Sequence, residues 1–269
     1  MKKRETIANL NAPAKKQRTL AYKKCLNCDS LITDKYCAHC GQSSDTQRLS
    51  LKTMAENIFS GITSFDRGGW HTIILLFSRP GKLVRDYING KRVEYSKPFG
   101  LLAILCGLYG FMSLLLYSYQ ETSSGITDPL IQVLNDLNLN DPIIRWICGN
   151  MLFLNLILTP LYALFIRWMF SGKRFKRYNF TEMLYLTVFW LCQIMIVNIL
   201  ILPFTYQMVY SMSLMIILLL LTTLLLGWFL QGFFNVGWFH AIGKSLLINV
   251  FPIIIIFLIT VIAIIVCYS

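Results

Sequence analysis

Apolar residues dominate five stretches of this chain, each about as long as the twenty residues a helix needs to cross a hydrocarbon core: Phe99–Tyr119, Trp146–Ile166, Met183–Leu202, Met208–Leu230 and Leu246–Cys267. From Met183 to Gly243, and again from Ser245 to Ser269, there is no Asp, Glu, Lys or Arg. Runs of that length require lipid around them. The third and fourth stretches divide at Pro203, which a helix accommodates poorly and which precedes the interface-type aromatics Phe204, Tyr206 and Tyr210. The segment Gln231–Lys244, polar, glycine-containing and rich in Phe and Trp, divides the fourth from the fifth. The pattern predicts an all-α integral membrane protein with a transmembrane domain over 99–269.

Ahead of the first span the period changes. Leu51, Met54, Ala55, Ile58, Phe59, Ile62 and Phe65 recur at three- and four-residue steps between polar residues, and Trp70, Ile73, Ile74 and Phe77 repeat the pattern briefly. Pro80 and Gly90 bracket a third short segment, with Leu83, Val84, Tyr87 and Ile88 on one face. Elements this short cannot span, so residues 50–98 are expected to be amphipathic interfacial helices. Their apolar faces would lie in the acyl boundary, with Lys82, Arg85, Lys91 and Arg92 toward anionic lipid headgroups. Packing on the membrane helices as an ordinary protein layer satisfies the same pattern.

Composition agrees with the apolar pattern: 55% of residues are hydrophobic and only 14% charged, against about a quarter charged in soluble domains. The net charge of +12 is uneven, since residues 1–98 carry 18 Lys+Arg against 8 Asp+Glu. Such a surplus reads first as a membrane-orienting flank, and nucleic-acid binding is disfavoured. With the N-terminus inside, the cytoplasmic flanks hold Arg79, Lys82, Arg85, Lys91, Arg92, Lys97, Arg167, Lys173, Arg174, Lys176, Arg177 and Lys244, and the opposite face only Arg145. That asymmetry predicts a cytoplasmic N-terminus and an outer C-terminus. Lys2, Lys3 and Arg4 lead into a polar stretch with no apolar core behind it, so residues 1–22 are expected to be a disordered basic tail and not a cleaved signal peptide.

Cys25-Leu26-Asn27-Cys28 and Cys37-Ala38-His39-Cys40 are two CxxC pairs eight residues apart. Thiolates at this spacing converge tetrahedrally on one ion, so residues 23–44 are expected to form a small zinc ribbon with structural Zn2+ held by Cys25, Cys28, Cys37 and Cys40. A rubredoxin-type iron would use the same ligands, and a disulfide pair is disfavoured in a reducing compartment. Gly41 supplies positive φ after the last cysteine. His39 is expected to face solvent, and Asp29 and Asp34 to be turn residues. Cys106, Cys148, Cys192 and Cys267 fall one to a span and read as small hydrophobes.

Within the spans, Asn150, Asn155, Gln193, Asn198, Gln231 and Asn249 read as interhelical hydrogen-bond partners, and Pro160 and Pro252 as kinks. Gly100, Ala103, Gly107 and Gly110 share one face of the first span and permit close packing, within one chain or between copies of a homo-oligomer. No ionisable residue falls at mid-span, which weakens a proton-coupled carrier. The one grouping with acid–base character is Glu182 with His240, both at cytoplasmic ends.

The run CLNC, then YCAHCGQ, then RPGKLVRDYINGKRVEYSKPF resembles an uncharacterised bacterial family, domain-of-unknown-function family 3667, over residues 25 to about 115. The resemblance implies a zinc ribbon joined to a multi-pass region in a bacterial inner membrane, and supplies no reaction. A cytoplasmic N-terminus with five spans is also similar, in architecture alone, to the Yip-type trafficking proteins. The leading functional expectation is a non-enzymatic scaffold or regulator recruiting an as yet unknown protein partner at the cytoplasmic face. The alternatives are a small-solute channel or carrier, and a lipid-acting or lipid-moving protein using Arg85, Arg92, Glu182 and His240.

Overall fold

The computed structural model describes residues 23–46, 48–51, 54, 68–124, 151–172, 178–205 and 212–268. The basic tail, most of the predicted amphipathic helix over 51–65, the charges Asp66 and Arg67, the loop holding Arg145 and Cys148, and the basic group at 173–177 lie outside these residues. The chain divides into two compact units, residues 1–46 and 47–269.

In the first unit, β1 (Lys23–Lys24) pairs antiparallel with β2 (Leu31–Ile32), Lys23 opposite Ile32 and Lys24 opposite Leu31. An isolated antiparallel bridge joins Tyr36 to Ser43, and Lys23 Nζ donates to Ser44 O at 2.6 Å, closing the ends together. Among the described residues of this unit, the core consists of Cys25, Ile32 and Cys37, with Cys28 and Cys40 packed against it. With one aliphatic side chain among them, these residues bury too little apolar surface to offset chain entropy without a further link.

The second unit is helical: α1 (Gly69–Ser78), α2 (Pro80–Ile88), α3 (Pro98–Ser124), α4 (Met151–Met169), α5 (Phe180–Thr205), α6 (Met212–Phe234) and α7 (Trp238–Tyr268). Two stretches, Phe180–Phe204 and Ile216–Phe234, are long and apolar enough to cross a membrane by length and composition. α5 is central. It packs against α1, α2, α3, α4 and α6, while α6 and α7 form a hairpin and α7 also meets α4. Every residue from Thr181 to Gln193 is buried, as expected of a helix that is apolar on all sides and surrounded by protein.

Several boundaries differ from those in the sequence. α5 continues through Pro203 to Thr205; a proline in the last turn removes one backbone hydrogen bond without ending the helix there. The predicted break over Gln231–Lys244 contracts to Asn235–Gly237. Asn235 stops α6 with φ of 52°, the left-handed conformation that Asn tolerates after a helix end, and α7 then begins at Trp238.

α2 is bracketed by Pro80 at its first turn and by Gly90, with φ of 103°. Its apolar face of Leu83, Val84, Tyr87 and Ile88 is buried against α5 and α6, so that face meets protein and not lipid. Gly81 makes the approach possible, because a Cβ there would lie 2.1 Å from the carbonyl carbon of Gly232 in α6. At Gly107 and Gly110 in α3, by contrast, an added Cβ meets nothing within 4 Å among the described residues.

Candidate metal centre and helix-end cluster

The two CxxC segments fold as a pair of matching knuckles. In the first, Asp29 N–H donates to Cys25 O at 3.0 Å and Cys25 N–H to Ser30 O at 2.8 Å; in the second, Gly41 N–H donates to Cys37 O and Cys37 N–H to Gln42 O, both at 2.8 Å. The residue after each second cysteine is left-handed, Asp29 with φ of 59° and Gly41 with φ of 77°. This turn aims backbone N–H groups at sulfur: Ser30 N–H bonds Cys28, and Gln42 N–H bonds Cys40. Asp29, expected as a plain turn residue, is thus the counterpart of Gly41, and Asp tolerates the conformation through its short polar side chain. His39 is exposed.

The four sulfurs lie within 4.8 Å of one another, with Cys25 to Cys40 at 3.5 Å and Cys28 to Cys37 at 3.6 Å. A tetrahedral site with bonds of about 2.3 Å requires sulfur separations of about 3.8 Å, so the donor set fits one ion. Cys28 and Cys40 differ in their surroundings. The hydroxyl and then the backbone N–H of Ser30 pull Cys28 down to about 6, while burial pushes Cys40 up to about 12.

The basic and acidic residues of the second unit gather at helix ends. Asn179 and Glu182 form a capping box at the start of α5: Glu182 N–H donates to Asn179 Oδ1 at 2.7 Å, and Asn179 N–H to Glu182 Oε2 at 2.8 Å. Arg48 then grips the carboxylate, Nε to Oε1 at 2.7 Å and Nη2 to Oε2 at 3.0 Å. The Glu182 carboxylate raises the guanidinium pKa further. Asn179 Nδ2 donates to Leu49 O at 3.0 Å, fixing the same strap. At the C-terminal end of α6, Arg85 donates to the carbonyls of Gly232 and Phe233. At that of α4, Lys244 donates to Met169 O and lies 4.0 Å from the centroid of the Phe170 ring. Acid at a helix N-terminus and cations at two C-termini is the arrangement the helix dipole favours.

These contacts redistribute the residues singled out in the sequence. Glu182 has Arg48 and Asn179 as partners, whereas His240 is exposed on α7, and no hydrogen bond or ion pair joins the two. Of the four cations assigned to lipid headgroups, Arg85 caps α6 and Arg92 donates to Tyr87 O at 3.4 Å, above the Tyr87 ring. Lys82 is exposed and Lys91 half-buried. Among the described residues, two of the amides read from sequence as interhelical partners make contacts between elements: Gln193 Nε2 donates to Leu76 O at 3.0 Å, and Asn249 Nδ2 to Thr223 Oγ1 at 3.1 Å. Arg48 and Asn179 were not singled out from sequence. Asn-x-x-Glu ahead of an apolar run is a legible capping signal; nothing in the sequence identifies Arg48 as its partner.

The loop between α2 and α3 is tied back onto both short helices. Tyr95 Oη donates to Asp86 Oδ2 at 3.2 Å, Ser96 N–H donates to Thr72 Oγ1 at 2.8 Å, and the His71 and Tyr95 rings stack 5.7 Å apart. Burial, reinforced by the Asp86 carboxylate, pushes the Tyr95 phenol up to about 12.

Residues 66–110, which hold α1, α2, this loop and the start of α3, match the family described as a protein of unknown function, DUF3667. The family resemblance therefore holds over that stretch. No curated protein and no solved structure matches the chain.

Proposed function

We propose that the chain is a multi-pass bacterial inner-membrane protein with α3 to α7 as its spans, a cytoplasmic N-terminus and an outer C-terminus. In this reading its ribbon carries a structural zinc ion and recruits a protein partner at the cytoplasmic face. The observation that carries the reading is the convergence of four cysteine sulfurs within 4.8 Å. Four thiolates complete the zinc tetrahedron and leave no position for a reacting water, which favours a structural over a catalytic ion. Once bound, the ion cross-links the two knuckles and stands in for the missing core.

The helix lengths support the membrane half of the proposal. α3 has 27 residues and α7 has 31; at about 1.5 Å per residue each exceeds a hydrocarbon core of about 30 Å. Ile216, Ile217 and Leu220 on α6, and Ile254, Leu258 and Ile262 on α7, are all more than half exposed and await an apolar cover. The Lys and Arg asymmetry between flanks supports the orientation. Glu182, the acid a lipid-acting enzyme would use, is held as a helix cap.

The experiment replaces Cys25 and Cys28 by serine in the host and reads ribbon folding, membrane insertion and co-purifying protein. We expect insertion to persist, the ribbon to unfold and the co-purifying partner to be lost. Unchanged partner recovery with an unfolded ribbon would sink the recruitment reading. Reporter fusions at both termini test the orientation.

A further inference from the structure

α1 has two faces of opposite kind. Thr72 and Leu76 are fully buried and locked in place: the Thr72 hydroxyl donates to Gly68 O at 2.8 Å and accepts from Ser96 N–H at 2.8 Å, and Gln193 holds the Leu76 carbonyl. The other face shows Trp70 at 72% exposure, Ile74 at 62% and Phe77 at 36%. Positions i, i+4 and i+7 form one stripe, and the locked face prevents the helix from turning to hide it. Beyond the stripe, the side chains of Arg79, Lys82 and Lys91 make no hydrogen bond or ion pair among the described residues. Arg85 and Arg92, on the same short segment, are tied to backbone carbonyls.

The geometry points to α1 as a docking stripe for an anionic lipid leaflet, with Trp70, Ile74 and Phe77 entering the acyl boundary and Arg79, Lys82 and Lys91 meeting phosphate headgroups. Aromatic and aliphatic side chains on one face, with cations that have no partner among the described residues, are what an interfacial helix requires. The stripe moves the lipid contact from α2, whose apolar face is covered by α5 and α6, to the helix before it. This inference rests on the multi-pass reading, which sets α1 beside a bilayer.

The test reconstitutes the full-length protein in phosphatidylcholine and phosphatidylglycerol vesicles, with bromine on the acyl chains of one lipid or the other. The emission lost in Trp70→Phe separates Trp70 from the other five tryptophans. Trp70 is expected to be quenched by both lipids, and about twofold or more strongly by brominated phosphatidylglycerol, because each nearby cation favours the anionic lipid. The Arg79→Gln, Lys82→Gln, Lys91→Gln triple variant should keep the quenching and lose the preference. No quenching of Trp70, as when water, protein or a second copy covers the stripe, overturns the inference, and so does equal quenching by the two lipids. Carbonate washing of native membranes separates the two readings. Protein retained in washed membranes with Trp70 unquenched defeats the docking stripe alone, whereas protein released by the wash defeats the multi-pass reading.

Discussion

Arg48 holds Glu182 through two parallel hydrogen bonds, of 2.7 and 3.0 Å, across 134 residues of sequence. Glu182 is buried and also closes the capping box of α5, whereas the Arg48 side chain is 61% exposed. The two partners should therefore respond unequally. We expect Arg48→Ala to lower stability by about 1 kcal/mol, since water screens an exposed guanidinium, and Glu182→Ala by about 3 kcal/mol, since the cap is lost with the pair. Thermal unfolding in detergent measures both. Equal losses would mean that leaving the buried Glu182 carboxylate without its cation costs as much as losing the cap.

Gly81 and Gly232 offer a second asymmetry. A Cβ on Gly81 would lie 2.1 Å from the Gly232 carbonyl carbon, while a Cβ on Gly232 would meet Gly81 Cα at 3.4 Å, an ordinary contact. Gly81→Ala should force α2 away from α6 and cost about 1–3 kcal/mol. Gly232→Ala should be neutral or stabilising by up to about 1 kcal/mol, because alanine is the better helix former. Paired melting curves of the two variants check the direction.

The clamp on the loop after α2 gives a pH dependence. Burial and the Asp86 carboxylate raise the Tyr95 phenol from 10.0 to about 12. A raised pKa means that the folded protein holds the proton longer, so the contribution of this contact is complete below pH 10 and is lost as pH rises through about 12. The difference between wild type and Tyr95→Phe in ultraviolet titration should show one tyrosine ionising near the top of that window. Ionisation of that tyrosine near 10 would show that it is not buried beside Asp86.

The ribbon and α2 were the most legible parts of the sequence, because both are written in local spacing: two CxxC pairs for the first, and Pro80, Gly90 and a four-residue apolar face for the second. What covers that face was not legible. Leu83 and Val84 satisfy lipid and protein equally well as a pattern, and only the close crossing at Gly81 decides for protein. Arg85 illustrates the same limit, since a cation that caps a helix 147 residues away and one that meets a headgroup look alike in sequence. Polar residues make the break between the fourth and fifth apolar stretches look wider in sequence than it is in the fold. Asn235–Gly237 make the turn, and Lys244 and Ser245 are helical, with their side chains bonded to Met169 and Thr223.

The four-thiolate zinc site is tested by the metal content of the full-length protein purified from membranes, by elemental mass spectrometry, in wild type and in the Cys25→Ser, Cys28→Ser variant. Wild type should carry about one zinc per chain and the variant essentially none, with release from wild type on acidification as thiolates reprotonate. Wild-type protein that carries no zinc while its cysteines remain reduced, or that carries iron in its place, would contradict it.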